Sequence, residues 1–298
     1  MNSLITTISF RLNSQKENKP FLGDVSFLKN GKRKPVIIFV HGFKGFKDWG
    51  PFNKMANYFA EQNFVFVKFN FSHNGTTPES PSEFLDPEAF GKDNHSTQLN
   101  DLEEVLDWVT KNGAEELKNE IDPERIYLIG HSRGGSVAIL KGAEDARVKR
   151  IVTWAAVSDL LGGYSFEDLH NWKRDGVRWV VNTRTQQRMP VYYQYIEDLQ
   201  VNNLRLNVLN AAALIHQPLL LIHGEEDEAV PLFHATEIHK KAKHSIVIII
   251  PKTNHTFGGR HPYTSGNLPV SLKQLYNTSI DFLKKEKIRV DEGFVTTF

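Results

Sequence analysis

The chain contains no cysteine. This excludes disulfides, thiolate nucleophiles and cysteine-type zinc sites, and it is compatible with every redox compartment. An excess of one charge sign is also missing. The 36 basic residues stand against 35 acidic ones, a formal net charge of +1. That balance gives no electrostatic footing for a nucleic-acid or anionic-membrane partner. Long apolar runs are lacking too: stretches such as Val36–Val40 and Ile246–Ile250 fall far short of the ~20 residues that span a bilayer. Met1–Arg11 has no basic stretch followed by a long apolar one, so it does not read as a signal peptide. The expectation is a soluble cytoplasmic protein.

What is present is ordinary globular composition, 40% apolar and 24% charged over 298 residues, with enough apolar surface for a large core. Short β-rich runs alternate with helical patterns. Strands are expected at Leu4–Phe10, Val25–Lys29, Val36–Val40, Phe64–Phe69, Ile126–Ile129, Ile151–Trp154, Leu219–Ile222 and Ile246–Ile250. The later runs are continuously apolar, as parallel strands buried on both faces are. Helices are expected at Phe52–Gln62, Ser96–Thr110, Ser132–Gly142, Leu232–Ala242 and Ser271–Lys285, with Ser96 as a cap. The pattern predicts an α/β fold, a mainly parallel eight-stranded sheet with helices on both faces and an antiparallel edge from its first two strands.

Two segments interrupt the alternation. Ser72–Asn94 is a long polar loop, of the kind that is functional or mobile. Residues 159–213, rich in Trp and Tyr, read as a small cap inserted within a single domain spanning 1–298. The tail, Lys287–Phe298, is open to extending the last helix, fraying or meeting another subunit.

The sharpest chemical signal is Gly130-His131-Ser132-Arg133-Gly134, between an apolar strand and a helical pattern. A nucleophilic serine on a strand-to-helix turn needs small neighbours, because the backbone passes close on both sides. Ser132 is the candidate nucleophile. His41-Gly42-Phe43 follows the Val36–Val40 strand, and the backbone N–H groups of Phe43 and Arg133 are the candidate oxyanion donors. Asp227, in the turn after Leu219–Ile222, is the candidate acid, with Asp159 as the fallback and Glu225, Glu226 and Glu228 as surface charges. His255, after the last strand, is the candidate base. The order Ser132, Asp227, His255 is the one this constellation takes in α/β hydrolases.

These segments resemble the α/β-hydrolase superfamily over nearly the whole chain. More narrowly, they resemble the small-cap bacterial cinnamoyl and feruloyl esterases and the catalytic domains of prolyl-oligopeptidase-like peptidases. The resemblance implies carboxylic ester hydrolysis of a small-molecule substrate without a cofactor, and the oxyanion hole at Phe43 and Arg133. It departs at Arg133, where the cinnamoyl esterases carry Gln. Trp172, Trp179, Tyr192 and Tyr193 in the cap are candidate substrate contacts for an apolar or aromatic acyl group, and packing of the cap explains them equally well. Arg174, Arg178, Arg184 and Arg188 read as a solvated face.

The leading expectation is therefore a serine esterase acting through an acyl-enzyme, with an amide-cleaving peptidase or aminopeptidase as the alternative. A homodimer is compatible with the sequence. A non-catalytic protein of the same fold would have lost one of the three catalytic positions, and all three are filled. No metal site is expected: His234 and His239 are five apart on one helix and face different ways.

Overall fold

The computed structural model describes residues 5–285 and 295–297. The chain starts with the antiparallel pair β1 (Ile5–Asn13) and β2 (Pro20–Leu28), then β3 (Lys34–Val40), α1 (Phe52–Glu61) and β4 (Val65–Phe69). Two helices follow, α2 (Pro87–Gly91) and α3 (His95–Asp107), then β5 (Ile121–His131), α4 (Arg133–Glu144) and β6 (Val148–Trp154). Between β6 and the next strand of the main sheet lie α5 (Phe166–Asp175), a hairpin of β7 (Val177–Asn182) and β8 (Gln187–Tyr192), α6 (Gln194–Val201) and α7 (Val208–Leu214). The chain then returns through β9 (Leu219–Gly224), α8 (Phe233–Lys241), β10 (Ser245–Ile250) and α9 (Val270–Lys284), and β11 (Val295–Thr297) adds a short edge.

The main sheet runs β1-β2-β4-β3-β5-β6-β9-β10-β11. All eight expected strands are in it, and β11 joins as a ninth beside β10. The rest of the tail and Leu4 lie outside the described residues. The antiparallel edge is as expected, since β2 meets both β1 and β4 antiparallel while the other neighbours run parallel.

Residue alternation in β3 explains the layering. Val36, Ile38 and Val40 face one core with Leu102, Leu106 and Val137, whereas Ile37 and Phe39 face a second core with Met55, Phe59 and Leu275. Helices α1 and α9 therefore cover one face of the sheet, and α3, α4 and α7 the other. Both faces of β3 are removed from water, which is why its sequence is continuously apolar.

One local expectation needs correction. Asn94, not Ser96, caps α3, its side chain accepting from the Thr97 N–H at 2.9 Å. Ser96 instead bonds Asp198. The Ser72–Asn94 loop is packed: Ser72, His73 and Asn74 are buried and Phe84 reaches the central cleft. In the 159–213 segment the central element is a β-hairpin whose turn places Gln186 at φ 57°, a left-handed position filled without glycine.

Candidate active site

Ser132 sits between β5 and α4 with φ 56° and ψ −126°. A non-glycine residue in this region costs on the order of 1–3 kcal/mol, so the surroundings must hold it there. They do so through close backbone packing. A β-carbon at Gly130 would lie 2.2 Å from the Gly134 carbonyl oxygen, and one at Gly134 would lie 2.2 Å from that of Val40. The Ser132 N–H donates to the Trp154 carbonyl at 2.8 Å, tying the turn to β6.

The loop after β3 comes directly against this turn: a β-carbon at Gly42 would lie 2.9 Å from that of Ser132. His41 fixes the loop. It is buried, its Nε2 accepts from the Phe71 N–H at 3.3 Å, and its Nδ1–H therefore donates to the Gly42 carbonyl at 2.9 Å. Burial pulls its pKa down to about 4, so it is neutral. Further along, Lys47 and Lys68 share Asp24 and Asp48 in a buried network of four 2.6 Å ion pairs. Phe43 and Arg133 adjoin: the guanidinium carbon lies 4.2 Å from the centre of the Phe43 ring.

Asp227 lies in the turn after β9 and His255 in the loop after β10. The His255 Nδ1–H donates to Asp227 Oδ2 at 2.8 Å. The other carboxylate oxygen accepts from the N–H groups of Ala229 at 3.0 Å and Val230 at 2.8 Å. His223 approaches Asp227 Oδ2 at 3.4 Å while donating to the Val230 carbonyl at 2.8 Å. Burial alone would raise the Asp227 pKa. The bonds from His223, His255 and Val230 outweigh it and hold the carboxyl well below the usual range. A buried, ionised Asp227 fixes the His255 tautomer and leaves its Nε2 free to take a proton. His131 adds a second restraint, its Nε2 donating to the His255 carbonyl at 2.9 Å. The fallback acid Asp159 is exposed and accepts from the Leu161 N–H instead.

Ser132 and His255 line one cavity of about 270 Å³. Its other walls are aromatic: Phe43, Phe46, Trp49, Phe52, Phe84 and His261. Ser132, His255 and the Gly42–Phe46 stretch reach it from the carboxyl ends of parallel strands β5, β10 and β3. The four aromatic residues expected from the inserted segment do not line it. Trp172 is buried, donates to the Val191 carbonyl and stacks on Tyr195. Tyr192 bonds Glu88. Trp179 is half exposed under Arg188, and Tyr193 packs edge-on to Trp172. The segment reaches the cavity through the hairpin turn, Asn182, Thr183 and Arg184. Four of the cavity aromatics, Phe43, Phe46, Trp49 and Phe52, cluster in the sequence just after β3, whereas Phe84 and His261 are brought to the cavity only by the fold.

The sheet order and the strand–serine–helix turn at its centre are those of the α/β-hydrolase fold. Within that fold, the chain belongs to the prolyl oligopeptidase family, a family of serine hydrolases, whose pattern matches residues 51–284. The uncharacterized peptidase YtmA of Bacillus subtilis is 30% identical over 125 residues, 41% of this chain and 43% of that one. Human serine hydrolase BPHL is 26% identical over 157 residues, 48% and 52% of the two chains. The chain thus spans about half the length of these curated relatives. Among solved structures, Est1E of Butyrivibrio proteoclasticus, with ferulic acid bound, shares the fold at a TM-score of 0.69 and 17% identity, over 92% of this chain and 97% of that one. No helix among the described residues is long and apolar enough to cross a membrane.

Proposed function

We propose that this protein hydrolyses carboxylic esters of small or aromatic acyl groups through an acyl-enzyme on Ser132. The observation that carries the reading is that one aromatic cavity holds both the strained Ser132 and the His255 bound to Asp227. In this reading Ser132 Oγ bonds to the substrate carbonyl carbon as its proton passes to His255 Nε2. The carbonyl electron pair becomes an oxyanion facing the N–H groups of Phe43 and Arg133. When the tetrahedral species collapses, the bond to the leaving oxygen breaks and His255 returns the proton to it. Water then repeats the sequence on the acyl-enzyme and frees Ser132. Residues 159–213 act as a small cap whose hairpin turn closes one wall.

Amide cleavage is the second reading, favoured by the family match and by the peptidase name of one relative. The two are separated by comparing a p-nitrophenyl ester series with aminoacyl-nitroanilides on the same enzyme. Turnover of short or aromatic esters with no detectable cleavage of the anilides supports the ester reading. Cleavage of the anilides replaces it with the peptidase reading.

A further inference from the structure

The charges around the Ser132 cavity are one-sided. Lys44 and Arg184 line it, and no carboxylate does. Arg184 is partly neutralised by Glu83 at 3.3 Å. Lys44 is not: its Nζ has only the Val181 carbonyl, at 3.4 Å. Arg133, next to Ser132, does not line the cavity itself but stacks on Phe43, which does, and among the described residues it too lacks a carboxylate partner. Its guanidinium lies between the rings of Phe43 and Tyr195, at 4.2 and 5.2 Å, and donates to the Tyr164 hydroxyl at 3.2 Å. Among the described residues, neither cation has a carboxylate oxygen within 4.0 Å. Both flank the Phe43 ring, Lys44 with its Nζ 5.9 Å from the ring centre.

Half-buried cations without a counter-ion are costly unless something supplies the negative charge. Burial and the neighbouring Arg133 lower the Lys44 pKa, the expected strain of two unpaired cations held close. Asp93, whose charge acts on Arg133, is itself pushed up to about 7 by burial. The location is chemically specific. A substrate carbonyl received by the backbone N–H groups of Phe43 and Arg133 would sit in the cavity that Phe43 and Lys44 line.

Resting on the hydrolase reading above, we infer that the preferred substrates carry a carboxylate on the acyl side, an acyl chain ending in an anion that Lys44 and Arg133 receive. The Phe43 ring then packs against the intervening methylenes.

The test compares mono-p-nitrophenyl suberate with p-nitrophenyl octanoate, matched in chain length and leaving group. The expected result is a kcat/KM at least about tenfold higher for the anionic ester at low ionic strength, shrinking in 0.5 M salt as screening sets in. Lys44→Gln and Arg133→Gln, each of which keeps its backbone N–H, are expected to reduce the anionic-to-neutral ratio severalfold, and the ratio is internally controlled against partial misfolding. Equal turnover of the two esters, or a preference for the neutral one, overturns this inference and leaves the hydrolase reading standing. Turnover of neither ester, together with an unreactive Ser132, overturns both.

Discussion

His255 Nδ1 lies 2.8 Å from Asp227 Oδ2, and the Asp227 side chain has no exposure to solvent. The carboxylate is held ionised by its donors and is placed to orient the His255 ring. Asp227→Asn keeps the shape and removes the charge. It is expected to lower kcat by roughly 10⁴-fold with the fold intact, since an amide facing Nδ1 favours the wrong tautomer. A steady-state assay beside a thermal melt checks this. A loss below about tenfold would assign the acid role elsewhere.

The cavity wall comes from the loop after β3 and not from the aromatic residues of residues 159–213. Trp49→Ala is expected to raise KM for aromatic esters by about tenfold, the scale of one lost aromatic contact. Tyr192→Phe removes only the bond to Glu88 and is expected to change KM less than about twofold. Kinetics on both variants distinguish the two walls, and the opposite ranking would return the acyl pocket to the inserted segment.

Much of this architecture is written in the sequence. Both-face burial makes Val36–Val40 of β3, Ile126–Ile129 of β5 and Leu219–Ile222 of β9 continuously apolar, and Gly130 and Gly134 mark the turn at Ser132 because nothing larger fits. The chain order of Ser132, Asp227 and His255 follows from the topology. Other features depend on long-range packing. Trp172 and Trp49 look alike in sequence, and only the fold sends one into the interior of the insertion and the other to the cleft. His223, which backs Asp227 from four residues away, stands in the His223-Gly224-Glu225-Glu226-Asp227 segment that carries the family resemblance, but nothing in the sequence marks it as a partner of the carboxylate. The β7–β8 hairpin lacks a glycine turn and pairs only with itself, so periodicity does not single it out.

Asp93 is expected to give the protein a pH dependence of stability. One of its oxygens accepts from Gln98 at 2.6 Å, while the other is buried without a partner among the described residues. Burial raises its pKa to about 7, against about 3.9 in an unfolded chain. Between those values the folded state holds a proton that the unfolded state has lost, so stability falls as pH rises through that window. Asp101, raised by burial to about 6, adds to the same slope. Asp93→Asn is expected to gain thermal stability over the wild type at pH 8 and little or none at pH 4. Melts across this range that stay parallel would show that Asp93 titrates normally.

The central claim is that Ser132 is an activated nucleophile. The measurement that tests it most directly is labelling with a fluorophosphonate probe followed by peptide mapping, with wild type beside Ser132→Ala. The account predicts one stoichiometric adduct on Ser132, none in the variant, and a fall in ester turnover of roughly four to six orders of magnitude with an unchanged melt. An unlabelled wild type, or an adduct that persists in the variant, would contradict it.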